Sequence, residues 1–185
     1  MWRETIQQVL ISENDLHRRI QALGSTIATD YRGRELVFVA VLKGALMFSA
    51  DLARAVDLPL TIDYIALSSY GDQQVPSGRI HLLQDLSESI ADKHVLIIED
   101  IVDTGLSLQY LWNHLMAQHP ADLSVCTLLE KRARRRVEVP IKYTGFEVPD
   151  AFVVGYGLDY RQRYRNLPFI AILHPEVFAP EPRSG

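Results

Sequence analysis

The sequence has 185 residues, 48% of them hydrophobic and 23% charged, with a formal net charge of −4. That length and hydrophobic content suit one domain over residues 1–185 with a sizeable core, and exclude a disordered or fibrous chain. The acidic balance excludes the overall basic field that drives nonspecific nucleic-acid binding, and the longest unbroken apolar stretch, Leu36 to Leu42, is far too short to span a bilayer.

In chain order, the opening Met1-Trp2-Arg3-Glu4-Thr5 is charged and lacks an apolar core segment, so no signal peptide is expected. Ser12-Glu13-Asn14-Asp15 offers helix-capping residues, and Leu16, Ile20, Leu23 and Ile27 recur at spacings of three and four; an amphipathic helix is predicted to about Tyr31. Leu36 to Leu42 reads as a buried strand broken by Gly44, Ala45 to Ala55 as a helix, and Leu60 to Leu67 as a second strand. Gly71 to Gly78 (GDQQVPSG) is polar and punctuated by Gly and Pro, so an exposed loop is expected. His94 to Ile98 is a third strand, Leu106 to Gln118 a helix and Leu123 to Leu129 a fourth strand. Cys126, the one cysteine, lies in that last run and reads as a buried, inert thiol of a cytoplasmic protein. Phe152-Val153-Val154 and Phe169 to Leu173 are short β-like pieces expected to pack as an appendage. Apolar strands alternating with helices predict an α/β fold, a parallel sheet flanked by helices with its sites at the carboxyl ends of the strands.

The most informative stretch runs from Val95 to Ser107. An apolar strand leads into two adjacent acids, Glu99 and Asp100, then Ile101-Val102-Asp103, a Thr104-Gly105 turn, and Leu106-Ser107 where a helix should begin. Backbone N–H groups at such a turn meet the positive end of the helix dipole and would bind a phosphate monoester, with the hydroxyls of Thr104 and Ser107 as further donors. The adjacent acids suit the vicinal hydroxyls of a ribose, because a carboxylate accepts strong hydrogen bonds from O–H donors. Asp103 would repel the phosphate unless it faces another part of the ligand. Residue by residue, a strand followed by a helix capped by Asp103 or Thr104 would explain the same letters. Two other phosphate motifs are absent: there is no G-x-x-x-x-G-K-[ST], and Gly155-Tyr156-Gly157 lacks the third glycine of a dinucleotide fingerprint.

This segment resembles the phosphoribosyl pyrophosphate signature of type I phosphoribosyltransferases. Val41-Leu42-Lys43-Gly44, Ser68-Ser69-Tyr70-Gly71, and Gly145 to Asp150 with its continuation Ala151 to Tyr160 narrow the likeness to the hypoxanthine and hypoxanthine-guanine phosphoribosyltransferases. The resemblance spans about Val39 to Arg165 and implies the type I fold with a small hood formed by terminal segments. It implies a purine-salvage transferase in which purine N9 displaces pyrophosphate at ribose C1 through an oxocarbenium-like transition state.

By that resemblance, Lys43 and Gly44 form a pyrophosphate loop in which a non-proline cis peptide after Leu42 turns an N–H toward the diphosphate. Ser69 and Tyr70 begin a flap that closes over the reacting centre and excludes water. Glu99 and Asp100 hold the ribose and a Mg²⁺ ion, Asp159 serves a second Mg²⁺ through water, and residues 103 to 107, including Gly105 and Leu106, cradle the phosphate. Arg165 meets pyrophosphate, with Arg163 a less favoured neighbour. Phe152 stacks on the purine, and Lys131 donates to its 6-oxo group, which disfavours adenine because adenine presents a donor there. Backbone groups near Val153 and Asp159 bear on guanine against hypoxanthine. Asp103 manages the purine N7 proton. Ser107 stands where the family more often has threonine, and keeps the hydroxyl.

The implied partners are phosphoribosyl pyrophosphate and a 6-oxopurine base, in a homodimer or homotetramer without membrane association. A related enzyme for xanthine is one rival. A regulator that binds RNA or DNA through the basic run Lys131-Arg132-Ala133-Arg134-Arg135-Arg136 is another, disfavoured by the acid at Asp103. His17, His81, His94, His114, His119 and His174 show no metal-ligand spacing.

Overall fold

The computed structural model describes residues 4–70 and 79–178. A short strand β1 (Ile6–Ile11) precedes helix α1 (Glu13–Asp30), which begins where the sequence predicts: the Ser12 hydroxyl accepts from the Asp15 N–H at 3.2 Å. Leu16, Ile20, Leu23 and Ile27 form its buried stripe. Strand β2 (Leu36–Leu42), helix α2 (Leu46–Ala55) and strand β3 (Leu60–Tyr70) follow, then β4 (Arg79–Gln84), β5 (His94–Val102), α3 (Leu106–Met116), β6 (Asp122–Glu130) and β7 (Ile141–Glu147). β8 (Val153–Val154) and β9 (Ile170–Leu173) complete the chain's strands among the described residues.

The main sheet has the order β4-β3-β2-β5-β6-β7, parallel except for the edge strand β4. Because side chains alternate across a strand, β2 serves two cores at once. Leu36, Phe38 and Ala40 face α1 and α2, whereas Val37, Val39 and Val41 face Leu108, Leu111 and Leu115 of α3. Both faces are covered, which is why β2 reads as a continuous apolar run. Cys126 is buried in this core, and burial pushes its thiol pKa well up, as an inert cysteine requires.

The hood is a second sheet in the order β1-β9-β8, all antiparallel, assembled from segments at opposite ends of the sequence. Arg19 of α1 donates to the Thr144 and Gly145 carbonyls of β7 at 2.6 and 2.9 Å, and Tyr156 below the hood donates its hydroxyl to Asp51 of α2. Among the described residues no helix is long and apolar enough to cross a membrane.

Three elements end elsewhere than expected, the two strands because of pairing and the helix because of a turn. β3 continues past Leu67 to Tyr70 because β4 pairs with it, Leu67 opposite Leu82 and Tyr70 opposite Arg79. β5 continues past Ile98 to Val102 because β6 supplies partners, Glu99 opposite Thr127 and Val102 opposite Glu130. α3 ends at Met116, two residues before Gln118, whose N–H instead closes a tight turn on Leu115. The expected loop at 71–78 and the side chains of Ser69 and Tyr70 lie outside the described residues.

Asp63, at the middle of β3, ties the strand to the connection after β4. Its carboxylate accepts from the N–H groups of Tyr64 and Ser87 at 2.8 Å each, from Glu88 N–H at 3.2 Å and from the Ser87 hydroxyl at 3.1 Å. Burial acts to raise its pKa, and these donors outweigh it, so the group sits below the ordinary value of 3.8. A lowered carboxylate pKa stabilises the fold above the unfolded value and loses that contribution as pH falls through the folded one. Asp63→Ala should therefore cost about 1–2 kcal/mol at pH 7, with a smaller deficit at pH 3, measured by urea unfolding.

Candidate active site

Strands β2 and β5 are neighbours, yet the chain leaves β2 toward β3 on one side and leaves β5 toward β6 on the other. The loops that follow their carboxyl ends therefore diverge and open a crevice, the usual place for a ligand in such a sheet. The Leu42–Lys43 peptide at the end of β2 is cis, as expected of the family loop. Gly44 then turns the chain into α2, with Ala45 N–H donating to Val41 at 3.1 Å.

Gly44 has no space for a side chain. A Cβ there would overlap the Asp100 carboxylate, and a Cβ on Gly157, whose φ is 103°, would overlap the Gly44 carbonyl oxygen. Arg165 donates to the Gly157 carbonyl at 2.6 Å and pairs with Asp159 at 2.6 Å, and Gln162 N–H donates to the same Asp159 at 2.8 Å. Three sequence-distant segments thus meet at one point, and they include Lys43, Gly44, Asp100, Asp159 and Arg165. Sequence reasoning missed Gly157; the signal was its place in Gly155-Tyr156-Gly157, read there only as a failed dinucleotide motif.

Glu99 and Asp100 stand on the last turn of β5 with no cation pressed directly against them. Burial drives the Glu99 pKa well above its ordinary value, and the neighbouring Asp100 charge adds to it. Burial also raises Asp100, against the opposing pull of hydrogen bonds and of Arg165. Two adjacent, poorly solvated carboxylates form a site whose charge calls for compensation by hydroxyl donors or a hard cation.

Past Val102, residues 103–105 form the turn and Gly105 adopts φ 85°, a left-handed conformation that suits glycine. Gly105 is the N-cap of α3, and the Thr104 hydroxyl accepts from the Leu106 N–H at 3.4 Å. The N–H groups that follow in the first turn are left for a ligand. Thr104 is held from behind, its carbonyl accepting from Arg136 and Val137 N–H at 3.0 and 3.3 Å. A cleft of about 230 Å³ opens here, bounded by Glu99, Asp103, Thr104, Gly105 and Ser107. Leu106 begins the helix and is exposed.

Lys131 is only 6% exposed, and among the described residues its ammonium has no hydrogen-bond or ion-pair partner. Its backbone N–H donates to Val102 at 2.9 Å, which ties it to the phosphate turn. Val153 is buried in β8, while Phe152 beside it is 47% exposed. Arg132, Arg134 and Arg135 of the basic run face acids of this chain. Arg132 lies 3.5 Å from both Glu130 and Glu147, and Arg135 pairs with Glu130 at 2.8 Å. Arg134 lies 3.2 Å from Asp103 and 3.5 Å from Asp150. Each of these arginines thus has a carboxylate neighbour within 3.5 Å. This arrangement also brings in Arg134, a counter-ion for Asp103 that the sequence concealed within a string of arginines.

Residues 10–161 match the phosphoribosyl transferase domain family. The chain is 43% identical to the hypoxanthine-guanine phosphoribosyltransferase of Bacillus subtilis over 178 residues, covering 96% of this chain and 99% of that protein. The chain belongs to the hypoxanthine(-guanine) phosphoribosyltransferase family. These are purine-salvage transferases that move a ribose phosphate onto hypoxanthine. A crystal structure of a hypoxanthine phosphoribosyltransferase from Staphylococcus aureus superposes with a TM-score of 0.92 at 42% identity, covering 96% of this chain and 97% of that one. The bifunctional protein TilS/HprT of Listeria monocytogenes is 47% identical over 94% of this chain, which spans 27% of that protein's length. The type I phosphoribosyltransferase fold expected from the sequence is the fold observed.

The crowding at Gly44 can be tested against an internal control. Gly33 also has a positive φ, 76°, but nothing lies within 4 Å of a Cβ there. Gly33→Ala and Gly157→Ala share the left-handed backbone cost, and only Gly157→Ala adds an overlap with backbone. Gly157→Ala should lose about 1–3 kcal/mol more in urea unfolding. Equal losses would mean that the approach to Gly44 relaxes.

Proposed function

We propose that this chain transfers the 5-phosphoribosyl group of phosphoribosyl pyrophosphate to hypoxanthine, with guanine as a second base, releasing pyrophosphate and forming IMP or GMP. The observation that carries the reading is the convergence of Gly44, Asp100, Gly157 and Arg165 beside the start of α3. A pyrophosphate, a ribose and a 5-phosphate can be held there in that order.

The N–H groups and hydroxyls from Asp103 to Ser107 would take the 5-phosphate, with the positive end of the α3 dipole behind them. Glu99 and Asp100 would accept from the ribose hydroxyls. Lys43, Gly44 and Arg165 would orient the pyrophosphate, and Arg165 would offset the charge it gains as the C1–O bond breaks. To reach pyrophosphate Arg165 must loosen its pair with Asp159. Lys131, buried and without a partner of its own, suits a carbonyl acceptor at purine C6; an amino group there would leave the ammonium unsatisfied. Phe152 supplies the stacking face, and Val153 the adjoining backbone. Ser69 and Tyr70 would lead into a closing flap.

Mg²⁺ fits the donor set, because Glu99 and Asp100 are hard oxygen ligands whose burial leaves their charge to be compensated, and Asp159 could serve a second ion once Arg165 withdraws. Such an ion would neutralise charge on the pyrophosphate oxygens. Asp103 would accept the N7 proton of the purine as the N9–C1 bond forms and return it to N7 in the reverse reaction, with Arg134 as its ion-pair partner at 3.2 Å. The enzyme would act as a homodimer or homotetramer in the cytoplasm.

Turnover measured with hypoxanthine, guanine, xanthine and adenine in parallel should show the first two used and adenine rejected; failure with all four ends the reading. Asp103→Asn should lower kcat by about 10²–10⁴ while sparing the KM for phosphoribosyl pyrophosphate. An unchanged kcat, with chemistry shown to limit turnover, would remove Asp103 from the proton path. Excess chelator should abolish activity and added Mg²⁺ restore it; full activity in chelator would exclude the metal.

A further inference from the structure

Phe152 has an unusual setting for a residue that must present a flat face. Its neighbour Val153 belongs to the core, but Phe152 is 47% exposed and lies in none of the buried clusters. Its ring touches two others. Tyr160 packs edge to face with it, centroids 5.7 Å apart at 84°, and Phe178 does the same at 5.2 Å and 67°. Tyr160 and Phe178 close the triangle at 5.0 Å and 74°. All three geometries are the edge-to-face kind that the aromatic quadrupole favours.

The two supporting rings are themselves fixed. Tyr160 exchanges backbone hydrogen bonds with Arg163 at 3.0 and 3.1 Å, its hydroxyl donates to the Val177 carbonyl at 3.3 Å, and the Arg161 guanidinium lies 5.2 Å from its ring centre. Phe178 ends a 3₁₀ turn (Pro175–Phe178) in which Val177 N–H donates to His174 at 3.0 Å, and His174 N–H donates to Thr5 at 2.9 Å. The segment after β9 is thereby anchored to the hood sheet and delivers a ring to the base-stacking residue.

We infer that Phe178 is a positioning residue for the purine, fixing the plane of Phe152 from outside the signature segments. The inference rests on the reading of Phe152 as the stacking face. An exposed phenyl ring without these partners rotates about χ1 and must be ordered each time a base binds, which weakens the base and leaves the sugar phosphate untouched. Tyr160 and Phe178 remove that freedom beforehand. Tyr160 follows Asp159 directly, so Phe178 is the member of the triangle that can be changed without disturbing the pyrophosphate side.

The test is steady-state kinetics on the full chain with hypoxanthine and phosphoribosyl pyrophosphate. Phe178→Ala should raise the KM for hypoxanthine by about three- to tenfold and leave that for phosphoribosyl pyrophosphate within about twofold. Phe178→Leu, which keeps apolar bulk without a ring, should behave like Phe178→Ala, whereas Phe178→Tyr should stay near the parent. In a Phe152→Ala background the Phe178→Ala effect should vanish, because the two act through one ring. An unchanged hypoxanthine KM, an equal rise in both KM values, or an undiminished effect in the Phe152→Ala background would overturn the inference. A parent protein that turns over no purine would instead remove the functional reading beneath it.

Discussion

The site depends on a close approach of backbones at Gly44. An Asp100 carboxylate stands on one side of it and Gly157 on the other, each at a distance that no side chain would permit. That contact joins the ends of β2 and β5 to the loop that leaves the hood, so three loops from separate parts of the sequence behave as one rigid wall. Rigidity matters because electrostatic stabilisation works only when donors and charges are already in place as charge develops. The glycines are the means: they remove the volume that would hold the loops apart.

Compactness of this kind brings like charges together. Glu99 and Asp100 are adjacent on one strand, and a third acid, Asp103, lies three residues further on. The chain answers each differently. Arg165 lowers the burden on Asp100 while holding Asp159, Arg134 rests against Asp103, and Glu99 has only the Asp100 N–H at 3.3 Å to set against burial and the Asp100 charge. Glu99 and Lys131 are therefore the ends of the site with charge least compensated by the protein. They have opposite sign and lie on β5 and just past β6, so a ligand with hydroxyls at one end and a carbonyl at the other would satisfy both.

Much of the frame was legible in the sequence, because the central strands are buried on both faces and advertise themselves as apolar runs. β2 matches its apolar run to the residue, and the α1 cap falls within Ser12 to Asp15, the segment of capping residues. Strands whose stability comes from partners rather than from burial were not legible. β4 (RIHLLQ) and β7 (IKYTGFE) carry charged or polar residues and Gly145, and β1 (IQQVLI) has only a faint alternation; each is fixed by a neighbouring strand far away in sequence. The same reason hid the ends of β3 and β5. In the site, residues in contiguous motifs could be named from type and spacing. Arg134, Gly157 and Phe178 could not, since their significance lies wholly in what they touch.

The hood follows from these constraints. In the proposed reading a base is held flat above a ribose at the end of β5, so Phe152 has to stand beyond the carboxyl edge of the main sheet. The sheet cannot supply such a residue itself, because β2 and β5 end in the loops at Gly44 and Thr104. A separate small sheet is needed, and β8 alone, with two residues, is too short to be stable. Pairing β8 with β9, and β9 with β1, gives it three strands and a buried cluster of Val154, Leu167 and Leu173. β1 leads straight into α1, whose Arg19 grips β7, so the hood is tied to the edge of the main sheet farthest from β4. The segments β1 and β9, which carried no motif, are thus the ones that hold β8 and Phe152 in place.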